Sequence, residues 1–197
     1  MIELSYMEIR FLGNQTIYIK GKKESVLINP TEQTGSSKLA GRIIAFTSKK
    51  FDNMGLSIEK VILRGPGEYE IGGVEVQGIN GGNGDTIYVF TIDGVTVGAF
   101  GELKEALSDK RQEKISSLDA MLISIKKNET ISDKLILDWA KKWGANYLIP
   151  VGFDEPNEDL IRFLDKADQE GNEGIDFLKI EKDELPEGME VVVLKKT

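Results

Sequence analysis

The stretch "VILRGPGEYEIGGVEVQGI", Val61 to Ile79, carries the most information about the fold. A short β-branched apolar run enters Gly65-Pro66-Gly67, a turn device in which glycine supplies positive φ and proline fixes its neighbour. The chain then alternates polar and apolar residues on both sides of Gly72-Gly73, as a hairpin does. Just downstream, "TIYVFTIDGVTVGAF" sets Asp93-Gly94 between two alternating runs. That is the strongest local hairpin signal, because a type I′ turn needs two residues that tolerate positive φ. Upstream, "YMEIRFL" and "TIYIK" alternate, while "SVLIN" and "RIIAFT" are short apolar runs bounded by Gly, Pro and polar residues.

Helical patterns dominate after Phe100. "ELKEALSDKRQEKISS", Glu102 to Ser117, predicts a polar helix or helical turn before the strand "AMLISI". Thr130 opens a stronger helix, with Asp133 in capping-box position and Ile136, Trp139, Ala140 and Trp143 on one face. Gly144 stops it after two lysines. Tryptophans four residues apart read as core packing. "NYLIPVGF" is a buried strand, "PNEDLIRFLDKA" a helix capped by Asn157, and "FLKI" and "EVVVL" closing strands. No repeat or linker divides residues 1–197, so a single domain is expected. Its pattern implies an α/β fold of two sheet layers covered by helices, an αββα sandwich.

The composition, with 40% hydrophobic and 8% aromatic residues in 197, is that of a globular chain. A formal charge of −8 disfavours nucleic acid, whose phosphates are repelled. From Asp154 to Glu190 there are 14 acidic and 4 basic residues, a local −10; this is either solubilising surface or a docking face for a basic partner. No cysteine is present, which removes disulfides, thiolate ligands and a cysteine nucleophile and fits a reducing cytoplasm. No apolar run approaches the ~20 residues that span a bilayer, and the N-terminus lacks a leader pattern. The expectation is a cytoplasmic protein with no membrane partner.

Taken in order, "MEIRFLGNQTIYIKGKKESVLINP", "IIAFTSKKFDN", "VILRGPGEYEIGGVEVQGI", "TIYVFTIDGVTVGAFGEL", "LDAMLISI" and "ANYLIPVGF" resemble the metallo-β-lactamase fold superfamily. The branch resembled is that of lactonase-like, zinc-dependent hydrolases, and the likeness runs from Met7 to about Phe153. It implies a one- or two-metal hydrolase in which a bound metal supplies hydroxide at neutral pH. It is also compatible with a homo-oligomer.

The ligands that such chemistry requires are missing, for the chain has no histidine at all. Where the resemblance places a His-x-His-x-Asp-His loop, this sequence has Ser48, Lys49, Lys50, Phe51, Asp52 and Asn53, and only Asp52 matches. The next histidine would fall in "INGGNGDT". The bridging aspartate falls on Glu102 and the last histidine on Gly152, while Asn14 and Asn29 replace a histidine and an aspartate beside the site. Lys50 puts a cation where a metal requires a neutral donor, and the reading pairs it with Asp52 or Glu102.

The degenerate site is therefore Ser48, Lys50, Asp52, Asn53, Glu102 and Gly152, with no cofactor and no assigned catalytic residue. Two other chemistries stay open. Ser48 with Lys50 is a nucleophile and base out of their usual Ser-x-x-Lys spacing. Asp52, Glu68, Asp85 and Glu102 form an oxygen-ligand set that could suit Mg²⁺ or Ca²⁺, chiefly through Asp52 and Glu102. No phosphate loop or dinucleotide fingerprint occurs. The expected function is a non-catalytic protein of this fold that binds a partner or small ligand; the alternative is a lactone, ester or phosphodiester hydrolase using another site in the same cleft.

Overall fold

The structure is a computed structural model that describes residues 6–31, 42–51 and 60–197. In the first sheet, β1 (Met7–Phe11), β2 (Ile17–Lys20) and β3 (Ser25–Ile28) are antiparallel neighbours, followed in parallel by β4 (Ile43–Ala45) and β5 (Val61–Leu63). A late strand, β12 (Leu178–Ile180), completes six strands by pairing with β1. The second sheet begins as a meander of β6 (Gly67–Ile71), β7 (Val74–Gly82), β8 (Asp85–Ile92) and β9 (Val95–Gly101). It continues in parallel through β10 (Ala120–Ser124), β11 (Tyr147–Val151) and β13 (Glu190–Val191), giving seven strands.

Period-two alternation decides which side of each strand is buried. In the first sheet Met7, Ile9, Phe11, Ile17, Ile19, Val26, Ile28, Ile43 and Ala45 join the main core. Leu12, Tyr18, Leu27, Ile44 and Phe46 form a smaller cluster on the opposite face. β8 is buried along nearly its whole length, as a central strand covered on both sides must be.

Among the described residues, the helices lie over the seven-stranded sheet. α1 (Asp109–Gln112) is one turn, α2 (Asp133–Lys142) crosses from β10 to β11, and α3 (Glu158–Lys166) follows β11. Trp143, at the end of α2, stacks on Phe100 of β9 at 5.2 Å, and Trp139 lies 5.9 Å from Trp143, so both indoles are core as expected. The Asn157 cap and the Gly144 stop also hold: Asn157 accepts from the Leu160 N–H at 3.1 Å, and Gly144 has φ +68°. No helix of the described residues is long and apolar enough to cross a membrane.

Of the helix or helical turn expected over Glu102–Ser117, the structure has the single turn α1, because Glu102 and Lys104 are drawn into a cluster of ions and Leu107 is buried. Two other expectations change. The cap of α2 is Ser132, which accepts from the Leu135 N–H at 3.2 Å, while Thr130 turns away and donates to the Lys104 carbonyl. Gly65 and Gly67 do not have positive φ. What the Gly-Pro-Gly turn demands is room: a Cβ on Gly78 of β7 would sit 2.7 Å from the Gly65 carbonyl oxygen. The buried Tyr88 hydroxyl accepts from the Gly65 N–H at 2.9 Å, and burial pushes its phenol up to about 12.

Candidate functional site

Of the residues singled out from sequence, Ser48 and Lys50 follow β4, Glu102 follows β9 and Gly152 follows β11, while Asn14, Asn29 and Ser124 lie at the ends of β1, β3 and β10. Two irregularities aim the site's carboxylates. Pairing of β9 with β10 shifts register between Leu122 and Ile123, so that Ile123 faces Gly101 at φ +63° and Glu102 leaves the sheet line. Pairing of β7 with β8 shifts between Asn80 and Gly82, immediately opposite Asp85. Bulges of this kind re-aim side chains at functional edges.

Glu102 is the centre of the site. Its Oε2 accepts from Lys50 Nζ at 2.7 Å and from Gln15 Nε2 at 2.8 Å, and its Oε1 accepts from Lys104 Nζ at 2.5 Å. The carboxylate is 15% exposed, against 43% and 47% for the two lysines. Burial pushes its pKa up, but the hydrogen bonds from Lys104 and Lys50 outweigh that and hold it at about 2. On its Leu103 and Ser124 side the remaining cavity is about 10 Å³, room for one water at most.

Asp85 is the second carboxylate. It is 5% exposed, takes a hydrogen bond from Ser48 and feels Lys104, Lys50 and Glu102. Its pKa is raised, first by burial, and one oxygen, Oδ2, is buried with no partner, as is Gln15 Oε1. Because the folded carboxyl holds its proton more tightly than a free one, the cost to folding grows as pH rises above the ordinary 3.8. We therefore expect Asp85→Asn to raise the melting temperature at pH 8 and to change it little at pH 3. A fall at pH 8 in differential scanning calorimetry would mean that the lysines stabilise the charge more than burial penalises it.

The floor of the site is locked by backbone. Asn29, at φ +46°, donates Nδ2 to Thr47 Oγ1 at 2.8 Å and accepts from the Thr47 N–H at 2.8 Å. Gly152, at φ +103°, donates its N–H to the Asn14 carbonyl, and a Cβ there would lie 2.4 Å from Ser124 Oγ. The structure thus brings Ser48, Lys50 and Glu102 together and places Gly152 against Ser124, which shares the small cavity with Glu102. Asp52 and Asn53 lie outside the described residues. Glu68 is elsewhere, beside Glu75, Gln77 and Thr91 in a groove on the outer face of β6 to β8, because its place in the β6–β7 register points it there. Ser48 turns to Asp85, and Lys50 donates to Glu102. Sequence reading missed Gln15 and Lys104; the nearest signal for Lys104 is its position two residues after Glu102.

The two facing sheets with helices packed on them form a metallo-β-lactamase-type fold. Residues 8–152 match the beta-lactamase superfamily domain, and the chain belongs to that family. Among solved structures it is similar to a candidate Zn-dependent hydrolase of the metallo-β-lactamase superfamily from Thermotoga maritima, at 19% identity and TM-score 0.78, covering 96% of this chain and 99% of that one. It is also similar to Igni18, a metallo hydrolase from Ignicoccus hospitalis (10% identity, TM-score 0.63, 97% and 96% covered). A third is the metallo-β-lactamase fold protein YhfI from Bacillus subtilis (9%, 0.62, 96% of each chain). No curated protein sequence matches the chain.

The residues present do not fit the zinc centre that this family implies. Zinc at such sites takes imidazole, thiolate and carboxylate donors, and the sequence holds no histidine and no cysteine. Among the described residues no three acidic side chains converge to hold an ion. Both oxygens of Glu102 already accept from ammonium groups, and a cation entering there would meet Lys50 and Lys104 first.

Proposed function

We propose that this chain is a non-catalytic member of the superfamily, in which an ion-pair cluster stands where the metal would be and which acts by binding a protein or small-molecule partner. The observation that carries this reading is the enclosure of Glu102 by Lys50, Lys104 and Gln15: three donors on one carboxylate, with the Asp85 carboxyl beside the same two lysines. A carboxylate so occupied serves as a brace between β4 and β9, not as a metal ligand or a base. A cytoplasmic location belongs to the same reading, supported by the cysteine-free composition.

Elemental analysis of protein purified without chelators, followed by ester, lactone and phosphodiester substrates with and without added Mg²⁺ or Ca²⁺, is the test. We expect less than ~0.1 equivalents of zinc and no turnover above buffer, because the imidazole and thiolate donors that such zinc sites combine with carboxylates are both missing. Stoichiometric zinc, or turnover abolished by Asp52→Ala, would end the proposal.

A second reading, a hydrolase in the same cleft, is favoured by one feature: the buried Asp85 with its raised pKa hydrogen-bonded to Ser48, a pairing that perturbed acids and bases show in active sites. Turnover lost in both Ser48→Ala and Asp85→Asn would select it.

A further inference from the structure

The acidic stretch from Asp154 to Glu190 includes α3, and beside that helix runs a groove that none of the candidate-site residues lines. Its volume is about 500 Å³, and its lining includes Glu158, Ile161, Leu164, Asp165 and Glu170. Ile161 is 66% exposed, one of two large hydrophobic side chains left in solvent among the described residues. Helical spacing puts Glu158, Ile161 and Asp165 on one stripe, with Leu164 buried at its base. The stripe is therefore acid, aliphatic, acid, and Glu170 closes the rim from the following turn.

The lone cation in the groove is already committed. Arg162 Nε donates to Asp133 at 2.7 Å, its other nitrogens reach Asp159 and the Ile125 carbonyl, and these contacts tie α3 to α2 and β10. Glu158, Asp165 and Glu170 make no ion pair among the described residues, so the rim presents their three negative charges to solvent. An apolar floor inside an acidic rim is complementary to a basic segment with aliphatic side chains on one face. A second copy of this chain would bring the same charges together and is disfavoured, and nucleic acid is repelled for the same reason.

We propose that this groove is a docking surface for a basic amphipathic helix of a partner protein, its aliphatic side chain seated against Ile161 and Leu164 and its lysines or arginines on Glu158, Asp165 and Glu170. The proposal rests on the reading that the chain works by binding, but it concerns a different face from the ion-pair cluster.

The test is titration of the full chain with a labelled twelve-residue lysine–leucine peptide, leucines at i, i+3 and i+4 spacing, read by fluorescence anisotropy and by amide chemical-shift mapping. We expect shifts centred on α3 and residues 170–171, and affinity about tenfold weaker in Ile161→Glu, whose site is open enough to keep the fold. The triple variant Glu158→Gln, Asp165→Asn, Glu170→Gln should weaken binding to a similar degree. The control triple Glu181→Gln, Asp183→Asn, Glu184→Gln, in the same acidic stretch, should stay within about twofold, because none of the three lines the groove. Equal loss in both triples, no change in Ile161→Glu, shifts mapping elsewhere, or a dimer that Ile161→Glu dissolves would each overturn the proposal. None of these outcomes bears on zinc content or turnover, so the two readings fail separately.

Discussion

Replacing Glu102 by alanine is expected to lower the unfolding free energy by about 2 to 3 kcal/mol, measured by urea denaturation at pH 7. Removing one member of a mostly buried ion cluster leaves like charges facing each other and typically costs about 3–5 kcal/mol. Here Lys50 and Lys104 are nearly half exposed and can turn back to water, which reduces the cost. The buried Gln15 amide has no such escape, and a donor stranded in the interior adds about 1–3 kcal/mol.

The pH dependence follows with a definite sign. The folded Glu102 carboxyl titrates near 2 and an unfolded one at 4.5, so its stabilisation is complete above 4.5 and is lost as pH falls toward 2. The gap between native and Glu102→Ala proteins should therefore close across that window. Glu102→Gln, which keeps a hydrogen-bond acceptor but no charge, should fall between them. A midpoint unchanged at pH 7 would show that the cluster is a surface ornament and would remove the main support for the non-catalytic reading.

Gly152→His is expected to cost about 2 to 4 kcal/mol and to bring no zinc affinity in isothermal titration calorimetry. Two effects add: a non-glycine residue held at φ +103° carries strain on the order of 1–3 kcal/mol, and its Cβ would overlap Ser124 Oγ. Gly152→Ala should lose most of the same stability, since the Cβ alone causes both. Combining Gly152→Ala with Ser124→Gly should recover the part due to overlap and leave the part due to φ, a coupling that a double-mutant cycle reads directly. A Gly152→His protein as stable as the native one, with bound zinc, would reveal a latent metal site.

The same position carries a second meaning that sequence does not show. Gly152 reads as the place of a lost ligand, and in the fold the chain turns there at φ +103°, a conformation that favours glycine, while Asn14 takes its N–H and Ser124 Oγ stands where a Cβ would be. Lys50 is legible in sequence as a cation facing Asp52 or Glu102, and it donates to Glu102, Asp52 lying outside the described residues. Lys104 and Gln15 were not legible, since one follows a bulge that only sheet register creates and the other reaches Glu102 across 87 residues of chain.

What the sequence determined by itself is the kind of structure and the chemistry it excludes. Alternating apolar residues, Asp93-Gly94 and the capped helices are local signals, and local signals survive translation into strands, hairpins and helices because each depends on neighbours within a few positions. Absence of histidine and cysteine is likewise a property of composition. Which polar groups meet, and which carboxylate becomes a brace while the other stays buried with a raised pKa, was decided only by tertiary structure. Those outcomes depend on how strand ends from distant parts of the chain converge, and on burial and charge at distances of a few ångströms, which no spacing along the chain encodes.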